Sequence, residues 1–443
     1  MTSVVSQVIR SGFYRSSSYF YVDSLSAILL LIITMIGATA SVYSIGYLRT
    51  EVKKEIIGFS RVRQYFILMH LFIFTMLLAV SVSNPIMMWI AIEATTLSTA
   101  FLISFYNKPS SIEAAWKNLI INSVGLLLGF LGTLIFLAIF SSSLHDGETI
   151  ATWKDLMNSG LISDPSAVKV AFIFILVGYG TKMGLVPMHT WLPDAHSKAP
   201  VPISALLSGV LLNVAFFAIL RFKIVTDGAI GPQFSQGLLI FFGTISIILA
   251  ALIILTQINY KRLLAYSSVE HMGIMALGFG FGGIGVFAAL VHMIFHALTK
   301  SLLFFSAGNI FLKYSSTKIS NVKGVITALP VTGIIFMIGI MTITGMPPFG
   351  IFFTEFYILS SGVSSHPVVV SLVISGLVLV FVGFLKHATA MIFGEVPSGI
   401  KRGEMDPLTT APIVIIVATL IGLGLFIPSQ LIKLIADASK LFS

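Results

Sequence analysis

Long runs of apolar residues alternate with short polar segments along the chain. A run of about 18 or more residues is long enough for a helix to cross a bilayer, whereas a barrel strand would show alternation over about ten residues. The pattern therefore predicts an all-α polytopic membrane protein with about 13 transmembrane helices. The predicted spans are 20–46, 64–82, 85–106, 116–140, 168–188, 203–220, 236–257, 265–282, 284–312, 328–346, 348–363, 367–393 and 409–428.

The composition agrees with this pattern. Of the 443 residues, 56% are hydrophobic and 10% are charged, whereas about a quarter of a soluble domain is charged. The composition excludes a soluble globule. The absence of cysteine excludes disulfides, thiolate-held iron–sulfur clusters and cysteine zinc sites in this chain. The net charge of +9 fits basic loops on the cytoplasmic side of a membrane better than nucleic-acid binding.

Basic residues divide unequally when the connections are placed alternately on two sides of the membrane. The richer side is expected to be cytoplasmic, which predicts an outside N-terminus and a cytoplasmic C-terminus. The richer side carries Arg49, Lys53, Lys54, Arg61, Arg63, Lys108, Lys117, Lys198, Lys261, Arg262, Lys313, Lys318, Lys323, Lys433 and Lys440. The other side carries Arg10, Arg15, Lys154, Lys169, Arg221, Lys223, Lys401 and Arg402.

Three ionisable side chains interrupt one apolar run. His292, His296 and Lys300 are spaced four residues apart, which places them on one face of a helix over roughly 12 Å. Because a charge inside the bilayer is costly, such residues normally face a protein interior or a hydrated cavity and mark an ion pathway. The alternative is that Lys300 reaches the membrane surface and the histidines are ordinary core groups.

Two acidic residues lie in or just before earlier predicted helices. Glu93 is near the middle of the span 85–106, where it is either a pathway residue or the permanent partner of a lysine. Glu113 and Lys117 are four residues apart at a helix start, a spacing that also suits a solvated salt bridge.

Prolines interrupt two predicted spans. Lys182 lies between Gly180 and Gly184, shortly before Pro187, and Glu355 follows the pair Pro347-Pro348. Proline breaks a helix, and broken helices inside a membrane line protein or hydrated cavities. Two interrupted segments in matching places suggest inverted repeats.

One loop combines basic and acidic groups. Lys261 and Arg262 are expected to anchor a helix at the membrane surface. Glu270 and His271 follow further along, as pathway residues or as loop-facing polar groups.

These stretches together resemble the antiporter-like subunits of proton-pumping NADH:quinone oxidoreductase, of multi-subunit cation/proton antiporters and of energy-converting membrane hydrogenases. The resemblance covers about residues 20–430. It is carried by T-K-M-G-L-V-P-M-H-T-W-L-P-D-A-H, K-R-L-L-A-Y-S-S, H-M-I-F-H-A-L-T-K-S-L-L-F and G-M-P-P-F-G-I-F-F-T-E-F. The segments I-E-A-T-T-L-S-T-A and S-S-V-E-H-M-G most resemble the F-type component of hydrogenase-4.

The resemblance implies two inverted five-helix repeats, each with a broken helix and half of a channel. It implies that Glu93 is the pairing glutamate, Lys182 the broken-helix lysine, Lys300 the central lysine and Glu355 the terminal acid. The remaining pathway candidates are His189, His292, His296, Glu113, Lys117, Glu270, His271 and His387.

The chain departs from the family pattern in several places. Asn213 stands where many relatives have a lysine, and Asn259 replaces the acid usual before K-R. The family's D-G-L-S-like segment is Asp23-Ser24-Leu25-Ser26 here, so the first one or two helices of relatives are expected to be missing. The long lateral helix of the largest relatives is not expected.

A single membrane domain, 1–443, is predicted. Its parts are 1–63 with the first helix, 64–235 and 236–395 as the two half-channel repeats, and 396–443 with the last helix.

The predicted function is proton translocation in a redox-driven complex, either a membrane-bound hydrogenase or a complex I-like dehydrogenase, in a prokaryotic plasma membrane. A sodium/proton exchange subunit and a structural anchor are the alternatives. No P-loop or dinucleotide-binding motif is present, so we expect no cofactor-based catalysis, no bound cofactor and no metal in this chain. The expected partners are other membrane subunits, hydrophilic subunits carrying iron–sulfur clusters, and lipid, with no nucleic acid.

Overall fold

The structure is a computed structural model that describes residues 2–16, 18–141, 152–158 and 164–442. These ranges are dominated by helices. In chain order the helices are α1 Thr2–Ser11, α2 Ser24–Lys53, α3 Phe59–Ser81, α4 Pro85–Ile103, α5 Pro109–Ser141, α6 Trp153–Asn158, α7 Pro165–Met183, α8 Trp191–Lys198, α9 Val201–Leu206, α10 Leu212–Ile230, α11 Gln233–Ile254, α12 Tyr260–Phe281, α13 Ile284–Tyr314, α14 Val325–Ala328, α15 Pro330–Ile343, α16 Gly350–Gly362, α17 Pro367–Ile392, α18 Pro407–Leu425 and α19 Ser429–Ser439.

Local sequence explains where several helices begin. Asn84, Asp164, Asn259 and Asp406 each accept a hydrogen bond from a backbone N–H in the first turn of the following helix. Such caps satisfy donors that have no partner within the helix. Asn259 therefore has a capping role at the start of α12.

A short hairpin ties the N-terminus to the bundle. Strands β1 Phe13–Arg15 and β2 Tyr21–Asp23 pair antiparallel. Asp23 then caps α2 by accepting from Ser26 N at 3.0 Å, and it accepts two hydrogen bonds from Arg221 of α10, at 2.5 and 2.7 Å. This buried ion pair fastens the start of α2 to the middle of α10.

Two helices are interrupted inside the bundle. The first break follows α7, where Gly184 has a φ of +85°, and continues through a 3-10 turn, Met188–Thr190, into α8. The second break lies between α15 and α16, where Gly345 has a φ of +63°. Each break contains a cis peptide bond, Val186-Pro187 and Pro347-Pro348. A π-helical segment, Leu207–Leu211, joins α9 to α10 without a break.

The helices α15 and α16 are two halves of one crossing. Both run antiparallel to α13 in the same direction, since successive positions along them meet successively earlier positions of α13. The contacting pairs are Thr332–Asn309, Gly339–Leu303, Gly350–Phe295 and Ser361–Gly285. The spans 328–346 and 348–363, which the sequence predicted as two helices, therefore form one interrupted helix.

Twelve crossings result for the described ranges, so the predicted count of about 13 is approximate. Ten helices are long and apolar enough to span a membrane by length and composition. The helix α12 and the pair α15/α16 complete the set. The helix over 201–230 is buried on all sides, and α12 and α13 are buried along most of their lengths.

An even number of crossings places both chain ends at the same end of the bundle. The ammonium of Lys433 in α19 donates to the carbonyl of Ile9 in α1 at 2.6 Å. This contact contradicts the predicted placement of the termini on opposite sides, which arose from counting the halves of one helix twice. We call this end the terminal face and the opposite end the basic face.

The order of helices reveals two inverted repeats. The first contains α3, α4, α5, the broken α7/α8 and α9/α10, and the second contains α11, α12, α13, the broken α15/α16 and α17. In both, the fourth of five crossings is interrupted. The first repeat begins at the basic face and the second at the terminal face, so their orientations are opposite, as the resemblance implied.

Candidate functional site: a buried row of ionisable side chains

Ionisable side chains accumulate where the two broken helices meet the fully buried helices of the bundle. Each of them has an exposed fraction of 8% or less. Burying an ionisable side chain inside the membrane costs free energy. Residues that are nevertheless found there usually mark an ion or proton pathway. The row comprises Lys182, His189, His196, Lys261, Glu270, His271, His292, His296, Lys300 and Glu355.

Lys182 occupies the last turn of α7, directly before the first break. Its ammonium donates to Thr96 Oγ1 at 2.9 Å and lies 5.9 Å from the ring of Trp191. The ion pairs formed by the described residues do not include Glu93 with Lys182. Glu93, half-buried on α4, instead accepts from Ser123 Oγ at 2.7 Å, and its second oxygen has no hydrogen-bond partner within the described ranges.

Lys300 lies deep in α13 and is fully buried. Its ammonium donates to the carbonyl of Leu264 and, at 2.6 Å, to Ser267 Oγ, both on α12, and lies 5.6 Å from the ring of Phe304. Glu270, one turn beyond Ser267, is the acid that acts on this ammonium electrostatically. As with Lys182, the ammonium is held by neutral acceptors.

Three histidines lie beyond Lys300, toward the terminal face. His271 Nδ1 is 3.0 Å from His292 Nε2, and His292 Nδ1 is 2.8 Å from Thr354 Oγ1. His271 Nε2 is 2.9 Å from the carbonyl oxygen of Ile343, at the end of α15. His296 packs with its ring centre 5.3 Å from that of His271, and neither of its ring nitrogens has a partner among the described residues. The histidines of α12 and α13 thus meet at the second break.

Two carboxylates flank His271. A Glu270 oxygen lies 3.5 Å from Nε2, and a Glu355 oxygen lies 4.0 Å from Nδ1. Glu355, in the second turn of α16, also packs against Gly345 in the break. One carboxylate oxygen of Glu270, one of Glu355 and one ring nitrogen of His271 all lie within 4.8 Å of one another. The three groups could therefore together hold either a proton or a cation.

Several candidates lie outside this row. Glu113 and Lys117 form an exposed ion pair of 2.7 Å at the start of α5, and Lys117 also reaches Asp194 at 3.2 Å. His387 bonds through Nε2 to the carbonyl of Ile254 at 3.1 Å. Asn213 is buried in α10 and donates to the carbonyl of Gly209 at 2.9 Å. His189, by contrast, is a member of the row; it lies in the 3-10 turn of the first break and packs edge-on against Tyr266.

Lys261 is buried, which corrects the expectation that it anchors α12 at the membrane surface. Its ammonium donates to the carbonyls of Ser197 and Ala199, at 3.3 and 2.8 Å, at the end of α8. Arg262 does lie at the basic face, where it pairs with Asp194 at 2.6 Å. The sequence placed both residues in a loop motif, but α12 begins before them.

Two further groups were missed by sequence reasoning. His196 is fully buried against the ring of Phe304, and its ring nitrogens have no partner in the part of the chain that the structure describes. Glu51, near the end of α2, accepts from Tyr106 at 2.6 Å and acts electrostatically on Lys261. The P-D-A-H motif could have signalled His196, whereas nothing local distinguishes Glu51 from an ordinary helix-end acid.

Comparison with protein families gives a clear result. A model described as "NADH:quinone oxidoreductase/Mrp antiporter, TM" matches residues 82–381. The chain belongs to this family. A second model, described as "NADH-Ubiquinone oxidoreductase (complex I), chain 5 N-terminus", matches residues 9–55. The resemblance inferred from the broken-helix and lysine motifs is thus confirmed.

Individual relatives agree with the family assignment. The "Hydrogenase-4 component F homolog" of Methylacidiphilum infernorum (isolate V4) is 36% identical over 427 residues, which are 96% of this chain and 89% of the relative. A chain of an archaeal membrane-bound sulfane sulfur reductase superposes with a TM-score of 0.86 at 21% identity, covering 100% of this chain and 89% of that one. A chain of respiratory complex I from Thermus thermophilus gives 0.81 at 22% identity, covering 96% and 86%. The two structures show the fold.

Proposed function

We propose that this chain is the proton-translocating, antiporter-like membrane subunit of a redox-driven complex, either a membrane-bound hydrogenase or a complex I-like dehydrogenase. The observation that carries the proposal is the position of Lys300. It is a fully buried lysine that neutral acceptors of α12 hold one turn along α13 from His296. Only a few groups in a protein can exchange protons at such depth, and here they are adjacent. The family assignment supports the same conclusion.

Protons would move because each buried lysine can be either a charged ammonium or a neutral amine, and its surroundings decide which form is favoured. Burial disfavours an ammonium, whereas a nearby carboxylate favours it. Thr96 holds Lys182 beside Glu93 without neutralising its charge. When the carboxylate approaches, Lys182 keeps its proton, and when it withdraws, the proton leaves toward Lys300 and the histidines. A conformational or charge change in a partner subunit would supply the bias.

Proton transfer fits the second break better than sodium exchange. A hard cation such as Na⁺ prefers oxygen ligands, whereas imidazole nitrogen suits transition metals. His271 stands between the carboxylates of Glu270 and Glu355, with His292 directly behind it. This mixture of imidazoles and acids favours proton carriers. A purely structural anchor would not explain why so many ionisable side chains are buried together.

The charge distribution supports an orientation in a prokaryotic plasma membrane. With twelve crossings, sixteen basic residues lie at the basic face and eight at the terminal face, which supports the proposal that the basic face is cytoplasmic and both termini are outside. The basic face carries Arg49, Lys53, Lys54, Arg61, Arg63, Lys108, Lys117, Lys198, Lys261, Arg262, Lys313, Lys318, Lys323, Lys386, Lys401 and Arg402. The terminal face carries Arg10, Arg15, Lys154, Lys169, Arg221, Lys223, Lys433 and Lys440.

The proposed partners are other membrane subunits and hydrophilic redox subunits that carry the iron–sulfur clusters, since this chain has no cysteine to hold one. The complexes whose chains share this fold, the sulfane sulfur reductase and respiratory complex I, are respiratory assemblies by their names. The chain itself would hold no cofactor and would conduct only protons.

Replacing Lys300 tests the proposed function. The assembled complex, purified through a tag on this chain and reconstituted in liposomes, is driven by its own electron donor while proton uptake and electron transfer are both recorded. Lys300→Ala should lower proton translocation by about 100-fold, in the range of a lost proton-transfer group, with assembly preserved. Lys386→Ala removes an exposed lysine and should pump normally. Full pumping by Lys300→Ala would overturn the proposal.

A further inference from the structure

Thr354, His292 and His271 form an unbroken chain of hydrogen bonds, which we call the histidine relay. It runs from Thr354 Oγ1 to His292 Nδ1 (2.8 Å), from His292 Nε2 to His271 Nδ1 (3.0 Å), and from His271 Nε2 to the carbonyl of Ile343 (2.9 Å). A carbonyl oxygen can only accept. His271 Nε2 must therefore carry a proton, and this fixes the first point of the relay.

One proton pattern leaves every member neutral. With a proton on Nε2 only, His271 accepts at Nδ1 from His292 Nε2–H. His292 then accepts at Nδ1 from the hydroxyl of Thr354. Each hydrogen bond has one donor and one acceptor, so the pattern is complete.

The hydroxyl of Thr354 has a second acceptor. Its oxygen lies 2.8 Å from the carbonyl of Ile351, one turn earlier in α16. If the hydroxyl donates there, its oxygen accepts from His292 Nδ1–H, and His292 Nε2 becomes an acceptor. His271 must then donate at both nitrogens and is an imidazolium. The same atomic positions thus accommodate one additional proton.

The charges around His271 suit this loaded pattern. Glu270 on α12 and Glu355 on α16 lie 3.5 and 4.0 Å from its ring nitrogens. From α13, His292 and Lys300 oppose a positive charge on it and His296 packs against its ring, and at the end of α15 the carbonyl of Ile343 accepts from its Nε2. Two carboxylates at ion-pair distance can offset the repulsion, so the loaded state depends on their charges.

We propose that the histidine relay stores one proton at His271 and that Thr354 is the positioning residue that couples this storage to the tautomer of His292. The inference rests on the proposed function and deepens it. It assigns a role to Thr354, a neutral residue that the sequence did not single out, and it makes the hydroxyl the outermost member of the relay.

The loading step balances. A protonated water gives a proton to Thr354 Oγ1, the original hydroxyl proton moves to His292 Nδ1, and the proton on His292 Nε2 moves to His271 Nδ1. Three bonds to hydrogen break and three form, and the new Thr354 proton points to Ile351. Thr354 is 4% exposed, whereas both imidazoles are fully buried. It borders a cavity of about 420 Å³ that is lined mainly by apolar side chains, so the protonated water is present there only during loading and is not a resident water.

Nitrogen NMR of the relay tests the proposal. The complex containing the full chain is labelled with ¹⁵N-histidine, placed in lipid bilayers and titrated with acid, and His271→Gln and His292→Gln samples assign the signals. Protonation of His271 should be accompanied by a change of His292 from the Nε2–H to the Nδ1–H tautomer. A His292 tautomer that stays constant while His271 becomes an imidazolium would overturn the coupling, as would a His271 that remains neutral throughout.

Variants at Thr354 make the test specific. Thr354→Val keeps the shape but removes the hydroxyl, so the two histidine signals should uncouple and proton exchange at the relay should slow by about tenfold or more. Thr354→Ser should restore both. Thr342→Val is the matched control, because it removes a buried hydroxyl that bonds to the carbonyl of Ile338, and it should behave as wild type.

Wild-type behaviour of Thr354→Val would refute the role of Thr354. The relay is read in the resting complex, whereas the proposed function is read from pumping by Lys300→Ala. Normal pumping by that variant would remove the function and leave the relay's proton chemistry standing. A failed NMR result beside a Lys300→Ala complex that does not pump would remove only the relay.

Discussion

The ammonium of Lys182 on α7 donates to the hydroxyl of Thr96 on α4 at 2.9 Å, although Glu93 lies on α4 one turn before Thr96. A hydroxyl can accept a hydrogen bond from an ammonium but cannot neutralise it. Lys182 is therefore held close to Glu93 and remains separate from it. This arrangement allows a small shift of α4 or of the lysine to change the charge that Lys182 experiences.

Thr96 is expected to determine how easily Lys182 changes partner. Thr96→Val removes the neutral acceptor and should draw the ammonium toward Glu93, because a buried donor left without an acceptor costs about 1–3 kcal/mol. Proton translocation in the reconstituted complex should fall about tenfold while electron transfer persists. Thr96→Ser should be close to wild type. Equal pumping by Thr96→Val and wild type would show that the hydroxyl does not hold the lysine.

The charge of Glu93 should matter more than its exact length. Glu93→Gln cannot attract Lys182 as an anion, whereas Glu93→Asp keeps the charge at a slightly shorter reach. We expect Glu93→Gln to reduce proton translocation at least about tenfold more than Glu93→Asp, measured as proton uptake per electron transferred. Ser123→Ala, which removes only the hydrogen bond to Glu93, is a milder control. If the Gln and Asp variants are equally active, Glu93 is a polar packing group.

Glu355 is expected to release protons at the second break. Its carboxylate lies beside Gly345 and 4.0 Å from His271. Glu355→Gln should therefore block proton exit while earlier sites still load. Infrared difference spectra taken during turnover should lose a protonated-carboxyl band, and pumping should fall by about 100-fold. Normal pumping, or an unchanged band, would place the exit elsewhere, with Glu270 as the next candidate.

The Asp23–Arg221 pair should contribute strongly to stability. Removing one partner leaves a buried charge unpaired, so Asp23→Asn should lower the free energy of unfolding by about 3–5 kcal/mol, measured as thermal unfolding of the purified chain in detergent. Glu113→Gln, in an exposed pair, should have little effect. An Asp23→Asn protein with unchanged thermal stability would show that the pair is dispensable.

The same pair should give a defined pH dependence. Burial alone would raise the pKa of Asp23, but the Arg221 guanidinium and the donors of Ser26 outweigh it and lower that pKa below 3.8. A lowered pKa means that the stabilisation is fully present above about pH 4 and is lost as the pH falls through the folded-state value. Asp23→Asn should remove this part of the acid sensitivity.

The sequence was informative where function follows local spacing. The four-residue steps from His292 to Lys300 and the prolines beside Lys182 and Glu355 could be read directly, because helix periodicity and proline sterics are local. The number of crossings could not be read, since the direction of α16 depends on its contact with α13. Likewise, His196 is buried against Phe304, a residue more than 100 positions away in the sequence. A local sequence pattern cannot predict such a long-range contact.

The contact between α1 and α19 brings the two ends of the chain next to each other. Since Lys433 reaches Ile9, a short linker could join the two ends without crossing the bilayer, and new ends could be opened in the exposed connection after Lys54. Reporters fused to either end of this chain should also show the same compartment. A polypeptide whose ends meet in this way can be lengthened there by further segments without altering the orientation of any existing helix.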